Sequence, residues 1–142
     1  MSKISVTRRE LQRAYRSHYM AYNMIDKDRC KLTCLLTLFY AVECGLKAVW
    51  LKRNNKNETA SCETQFDEFR HNINAILSQL RVHRELHLPN KSTVVSPGSQ
   101  SIRDVGSGQL NQAWRYGCQL NDDDLFEVRL KEIIVWIRSE LS

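Results

Sequence analysis

A carboxylate lies inside the longest apolar segment of this chain, and it constrains the fold more than any other residue. Apolar side chains recur in segment 32–51 at spacings of three and four, as on a helix that buries one face: Leu32, Leu35, Leu36, Phe39, Val42, Leu46, Val49 and Trp50. Glu43 shares that face. Because an unpaired buried carboxylate is very costly, Glu43 must be paired inside the fold or line a cleft, and Lys47, one helical turn on, is its nearest local partner.

The same segment is long enough to span a membrane, but two charged residues fall well inside it. Glu43 and Lys47 would each cost about 2.5 to 3.5 kcal/mol near the centre of a bilayer helix. We therefore interpret the segment as a buried helix and expect no membrane partner. The N-terminus shows no positively charged leader followed by an apolar segment, so we expect a cytoplasmic protein.

The composition bounds the domain count and the kind of partner. The 142 residues, 42% of them hydrophobic, suffice for a single domain, 1–142, with one core. A formal charge of +5 modestly favours a polyanionic partner such as nucleic acid, although a merely basic domain explains it equally well. The cysteines are odd in number and form no CxxC pair, so we expect free, mostly buried thiols, no metal and no cofactor.

Hydrophobic periodicity predicts an all-α protein, an up-and-down bundle of about five helices. A capping box at Thr7 and Glu10 opens a first helix over 8–24, and the second helix fades in the polar run after Arg53. Segment 63–69 is ambiguous. The remaining predicted helices are 72–84, the short fourth helix 110–116 stopped by Gly117, and a last helix capped by Asn121 with an apolar face of Leu125, Val128, Ile133, Trp136 and Ile137.

Residues 88–108 hold both prolines and three of the five glycines and show no sustained periodicity. They predict a long loop before the short fourth helix. Loops of this length in small domains are functional or disordered, so the segment is either a lid over a site or a floppy surface.

Three segments together resemble the HEPN superfamily (higher eukaryotes and prokaryotes nucleotide-binding) of small helical bundles. They are FYAVECGLKAVWLK at 39–52, HNINAIL at 71–77 and WRYG at 114–117, and the match spans roughly 32–141. In that family a long helix with a glutamate and a following LKA packs against a helix opened by a His-Asp-Leu type motif. A later short helix often carries an Arg-Tyr pair. Asn72 stands where the family often has the aspartate.

The resemblance implies a HEPN-like component of a prokaryotic anti-phage defence or toxin–antitoxin system, homodimeric, that contacts RNA or a partner protein of the same system. Some family members are metal-independent ribonucleases; others are non-catalytic and only bind nucleotides or partners. In the catalytic branch an arginine is followed after roughly four to six residues by a histidine, and both converge across a dimer interface on the scissile phosphate. A histidine can take the 2′-hydroxyl proton while an arginine holds the phosphate bidentately.

By this resemblance Arg115, His71 and Glu43 are the catalytic candidates. No histidine follows Arg115 at the family spacing, which favours the alternative function: a catalytically silent scaffold that dimerises and docks a larger effector enzyme. The spacing occurs literally at Arg13–His18 and Arg81–His87, although about one such match is expected by chance. His18 with Arg13 is therefore the alternative catalytic pair.

Each candidate also has a purely structural interpretation. Glu43 is either a functional acid or a carboxylate tied to Lys47, His71 or Arg115. His71 either bonds backbone at a helix start or partners Glu43 in a cleft. Arg115 and its aromatic neighbours either bind phosphate or pack in the core, and His18 is either a base or a satisfied core histidine. Candidate nucleic-acid contacts are Arg9, Arg13 and Arg16, which share a helix face, with Lys47 and Tyr116.

Overall fold

A computed structural model describes residues 4–96, 98 and 102–142. Within these residues the chain is a bundle of six α-helices, as the periodicity predicts, and the extra helix is the ambiguous segment 63–69. The helices are α1 Arg8–Met24, α2 Lys31–Arg53, α3 Glu63–Phe69, α4 Ile73–Gln79, α5 Leu110–Arg115 and α6 Asp123–Leu141. Single 3-10 turns lie at Thr59–Cys62, Arg84–Leu86 and Ser107–Gln109.

The first helix begins and ends where the sequence predicts. Thr7 Oγ1 accepts from Glu10 N at 3.1 Å, and Glu10 Oε1 accepts from Thr7 N at 2.9 Å, which is the predicted capping box. The helix buries Leu11, Tyr15 and Tyr22 against α2.

Helix α2 is the centre of the bundle, with α1, α4, α5 and α6 packed around it. Gly45 allows α1 and α6 to pack closely on α2, because an added Cβ would lie 2.8 Å from Ile137 Cγ2 and 3.0 Å from Tyr15 Cδ1. Among the described helices, α2 alone has the length and apolar character of a membrane span, and 61% of its most apolar window is buried inside the bundle.

Two predicted helix boundaries are wrong. Helix α4 ends at Gln79 rather than near residue 84, because Arg81 adopts a positive φ of 57° and Val82 N donates back to Leu77 O at 3.0 Å. Asn121 does not cap α6, since its amide bonds Thr93 Oγ1. The helix instead begins at Asp123.

The apolar face predicted for the last helix is partly wrong. Leu125 and Val128 are 44% and 55% exposed. Ile133 and Ile137 are buried as predicted and Trp136 is half-buried, while Phe126, Leu130 and Ile134 supply the other core positions of α6. At the start of the helix the Asp123 carboxylate accepts from Trp114 Nε1 at 2.8 Å and from Leu120 N at 3.0 Å, which locks α5 to α6.

The predicted long loop contains a small antiparallel hairpin, β1 (Lys91–Thr93) and β2 (Asp104–Gly106). The hairpin is fastened to the α5–α6 connection, because Ser92 Oγ donates to Asp122 at 2.7 Å and Asn121 N donates to Thr93 O at 3.0 Å. These hydrogen bonds hold the described part of 88–108 against the α5–α6 connection, and its role as a lid or a surface loop stays a prediction. Residues 97 and 99–101 lie outside the described residues. Helix α5 ends at Arg115, and Gly117 takes a positive φ of 82°, as its predicted stop requires.

The cysteines are free thiols, as predicted. Cys34 and Cys62 are buried, Cys44 and Cys118 are half-buried, and Cys30 is exposed. Burial, followed by the neighbouring Glu43 carboxylate, raises the pKa of the Cys44 thiol to about 11, so this thiol is protonated and unreactive at neutral pH.

Candidate functional site

The buried carboxylate of α2 is paired with two cations or hydrogen-bond donors. Glu43 Oε2 lies 2.8 Å from His71 Nδ1 and accepts from Lys47 Nζ at 3.2 Å. The Glu43 side chain is 7% exposed, whereas that of His71 is 51% exposed. Of the interpretations left open by the sequence, His71 therefore partners Glu43 rather than backbone. Glu43 does not contact Arg115, whose hydrogen bond goes elsewhere.

The pairing orients the His71 ring. The Glu43 carboxylate accepts hydrogen bonds, so when the imidazole is neutral its proton lies on the Nδ1 atom that faces Glu43. The other nitrogen, Nε2, then has a free lone pair on the half-exposed side of the ring. This is the arrangement of a general base whose tautomer is held by a buried carboxylate.

A strained turn places His71 at this position. Asn72 N donates to Phe69 O at 2.8 Å, which closes a four-residue turn, and Arg70 within it has φ 45° and ψ −119°. That backbone conformation suits glycine at the second position of a II′ turn, and it costs a residue with a Cβ on the order of 1 to 3 kcal/mol. Asn72 then caps α4 by accepting from Ala75 N at 3.2 Å.

A cleft of about 580 Å³ opens beside the Glu43–His71 pair. Its walls include Lys47, Arg70 and His71, and the apolar side chains of Val6, Leu11 and Phe66. Lys47 Nζ lies 5.8 Å from the centre of the Phe66 ring, so its ammonium group spans the carboxylate and the aromatic face. The cleft gives the exposed side of His71 room for a ligand.

Arg115 contacts Tyr40, which lies about one helical turn of α2 from Glu43. Its Nη2 donates to the Tyr40 hydroxyl at 2.6 Å, and this hydrogen bond is the main cause that raises the pKa of the guanidinium. Tyr116 is 75% exposed beside it. Trp114, in contrast, is buried between Phe39 and Phe126, so only this member of the predicted aromatic motif packs in the core.

The site residues described above lie along one accessible strip of α2. This strip, which we call the α2 seam, consists of Tyr40, Cys44 and Lys47. Its members are spaced by four and three residues and so lie on one side of the helix. The seam is flanked by Arg115 at Tyr40 and by His71 at the Lys47 end. The His18 ring centre lies 6.1 Å from that of Tyr40, so His18 also borders the seam.

The arginines predicted on α1 lie elsewhere. Arg9, Arg13 and Arg16 are exposed and share the outward face of the helix. His18 follows Arg13 by five positions, which places the two side chains about 140° apart around the helix axis. The Arg13–His18 spacing therefore does not bring these two side chains together within one protomer. Of the candidate residues on α1, only His18 borders the α2 seam.

Sequence reasoning missed Tyr40 and Arg70. Tyr40 falls within the motif FYAVECGLKAVWLK, but nothing in the sequence shows that Arg115 reaches its hydroxyl from 75 residues away. No sequence pattern predicts the turn at Arg70, because its positive φ is rare for any residue other than glycine.

Among the described residues, no group of three or more His, Cys, Asp or Glu side chains is placed to hold a metal ion. Comparison with known protein families, curated proteins and solved structures finds no match to this chain. Membership of the HEPN superfamily therefore stays a prediction, and functional inference depends on the residues of the site.

Proposed function

We propose that the chain is a cytoplasmic, HEPN-like component of a prokaryotic anti-phage defence or toxin–antitoxin system that contacts RNA along the α2 seam. One observation carries the proposal: a histidine held by a buried carboxylate and an exposed arginine lie over neighbouring turns of one helix. The exposed Tyr116 beside Arg115 adds a surface on which a base can stack. The formal charge of +5 favours the same polyanionic partner.

The arrangement supports a metal-independent ribonuclease step. His71 Nε2 accepts the proton of an RNA 2′-hydroxyl, and the 2′-oxygen forms a bond to phosphorus while the bond to the 5′-oxygen breaks. The leaving 5′-oxygen takes a proton from solvent, and the products are a 2′,3′-cyclic phosphate and a 5′-hydroxyl. Arg115 donates to the phosphate oxygens, where negative charge grows in the transition state.

Incubation of labelled tRNA with the purified protein and excess EDTA tests this proposal. We expect RNA binding, with any cleavage persisting in EDTA and leaving cyclic phosphate ends. A protein that neither binds nor cuts RNA at low salt contradicts the proposal.

The second candidate function is the silent scaffold, and the outer face of α6 favours it. Leu125, Val128 and Val135 are 44%, 55% and 63% exposed and lie along one side of the helix. Three such side chains on the exposed side of α6 indicate a docking face. The occupant we propose is a second copy of this chain.

The charges of this face are self-complementary. A two-fold axis between Lys131 and Glu132 would run α6 antiparallel to its copy and bring each Lys131 to the Glu132 of the partner. Val128 would then contact Val135 across the axis on both sides. Isologous contacts of this kind close a dimer. A dimer through α6 leaves the α2 seam of each protomer open to RNA or to a larger effector.

A further inference from the structure

A second cavity shares no lining residue with the α2 seam, and the charge of its lining is unusual. It measures about 550 Å³ and lies between the end of α4, the 3-10 turn Arg84–Leu86 and α6. Its polar lining consists of Ser78, Arg84, His87, Asn90 and Arg129. The described lining therefore supplies two guanidinium groups, an imidazole, a hydroxyl and an amide, and it includes no carboxylate.

The cavity is built rather than formed by loose surface side chains. Arg129 Nη1 donates to His87 O at 2.7 Å, and the Arg129 side chain is 24% exposed. The neighbouring backbone is pinned by Asn74, which donates to Leu88 O at 2.9 Å and accepts from Leu88 N at 2.8 Å. One guanidinium and the wall beside it are thus held in place before any ligand arrives, which lowers the entropic cost of binding.

Two carboxylates lie near the cavity, and one of them, Glu132, pairs with Arg129 of its lining. Glu132 Oε1 lies 3.7 Å from Arg129 Nε, on a half-exposed side chain of α6. Glu85 lies 3.9 Å from His83, and its side chain is 88% exposed. Neither belongs to the lining, so Arg84 gives the cavity a net positive charge although Glu132 offsets that of Arg129.

We propose that this cavity, the Arg84–Arg129 pocket, binds a phosphate group. Planar guanidinium forks match the oxygens of phosphate, and the Ser78 hydroxyl and Asn90 amide add neutral donors. The phosphate is either a phosphodiester of RNA or a free or small phosphorylated ligand. The pocket extends the proposed function but does not depend on it, since it shares no residue with the α2 seam.

Titration with inorganic phosphate, followed by backbone amide NMR at constant ionic strength, tests the pocket. We expect saturable shifts at Ser78, Arg84 and Asn90 in the wild type. Arg84→Ala should weaken the affinity by about fivefold or more, because a charge-assisted contact is lost. Arg29→Ala removes the same charge from an exposed turn and should leave the affinity unchanged. Arg84 is exposed, so a thermal melt of Arg84→Ala should match the wild type.

Absent shifts, equal shifts with chloride, or an affinity unchanged by Arg84→Ala would each overturn the proposal. A second arm with a labelled single-stranded RNA distinguishes the sources of phosphate. If the pocket holds an RNA phosphodiester, Arg84→Ala weakens RNA binding and inorganic phosphate competes with RNA. If RNA binding is unchanged while phosphate still binds, the pocket serves a small phosphorylated ligand, and the RNA proposal for the α2 seam is tested separately through Arg115 and His71.

Discussion

Glu43 Oε2 and His71 Nδ1 lie 2.8 Å apart although 28 residues separate them in the chain. Their contact joins the central helix to the turn before α4, and it converts a buried carboxylate into an orienting group for a half-exposed imidazole. The Lys47 ammonium, 3.2 Å from Glu43 Oε2, balances the charge of the carboxylate.

Removal of this carboxylate should destabilise the fold by a moderate amount. We expect Glu43→Ala to lower the free energy of unfolding by about 1 to 3 kcal/mol, less than the 3 to 5 kcal/mol typical of a fully buried pair. The reason is that His71 and Lys47 both reach solvent at the cleft. Urea unfolding measures the change, with Glu85→Ala as an exposed control. An unchanged midpoint for Glu43→Ala would mean that the pair contributes nothing to stability.

Loss of the imidazole should separate catalysis from binding. If the chain cuts RNA, His71→Ala should reduce the chelator-resistant rate by about 10²-fold or more while RNA affinity changes little, because a general base acts only in the chemical step. His83→Ala is the matched control, since His83 is an exposed histidine outside the cleft. Cleavage by His71→Ala at the wild-type rate would assign the chemistry to another residue.

Arg115 should act on affinity in a salt-dependent way. Arg115→Ala should weaken RNA binding and lower the slope of log affinity against log salt by about one, as expected when one phosphate contact is lost. Fluorescence anisotropy across a salt series measures both quantities, and Arg29→Ala supplies the control for net charge. An identical slope for wild type and Arg115→Ala would remove Arg115 from the RNA surface.

The α6 dimer predicts a charge-reversal rescue. Lys131→Glu alone should shift light-scattering masses from about twice the monomer mass toward one, because like charges then meet across the axis. The double variant Lys131→Glu, Glu132→Lys restores opposite charges and should restore the dimer. A wild type that remains monomeric at micromolar concentration, or a double variant no better than the single, would exclude this interface.

Relief of the strained turn should raise stability. Arg70→Gly places a residue without a Cβ at φ 45°, and we expect a gain of about 1 kcal/mol despite the greater freedom of glycine in the unfolded chain. Arg29→Gly, at a position without a positive φ, should instead lose stability. Thermal melting compares the two. A destabilised Arg70→Gly would show that contacts of the Arg70 side chain outweigh the backbone strain.

The bounds of α1, the central burial of α2 and the stop of α5 before Gly117 follow from local signals: a capping box, a spacing of three and four, and a residue that tolerates positive φ. Local chemistry also shows that Glu43 needs a partner. These features depend on neighbours within one or two turns, so the sequence alone determines them.

The choice of that partner depends on the tertiary structure. Lys47 pairs with Glu43 within α2, but whether His71 or Arg115 also reaches the carboxylate depends on the packing of α3 and α4 against α2, which brings His71 there and leaves Arg115 to Tyr40. The outward placement of Leu125 and Val128 was likewise undetermined, because an apolar side chain fits a core or a docking face equally well by periodicity. Contacts between residues distant in sequence decide these points, since their energies depend on which helix faces meet.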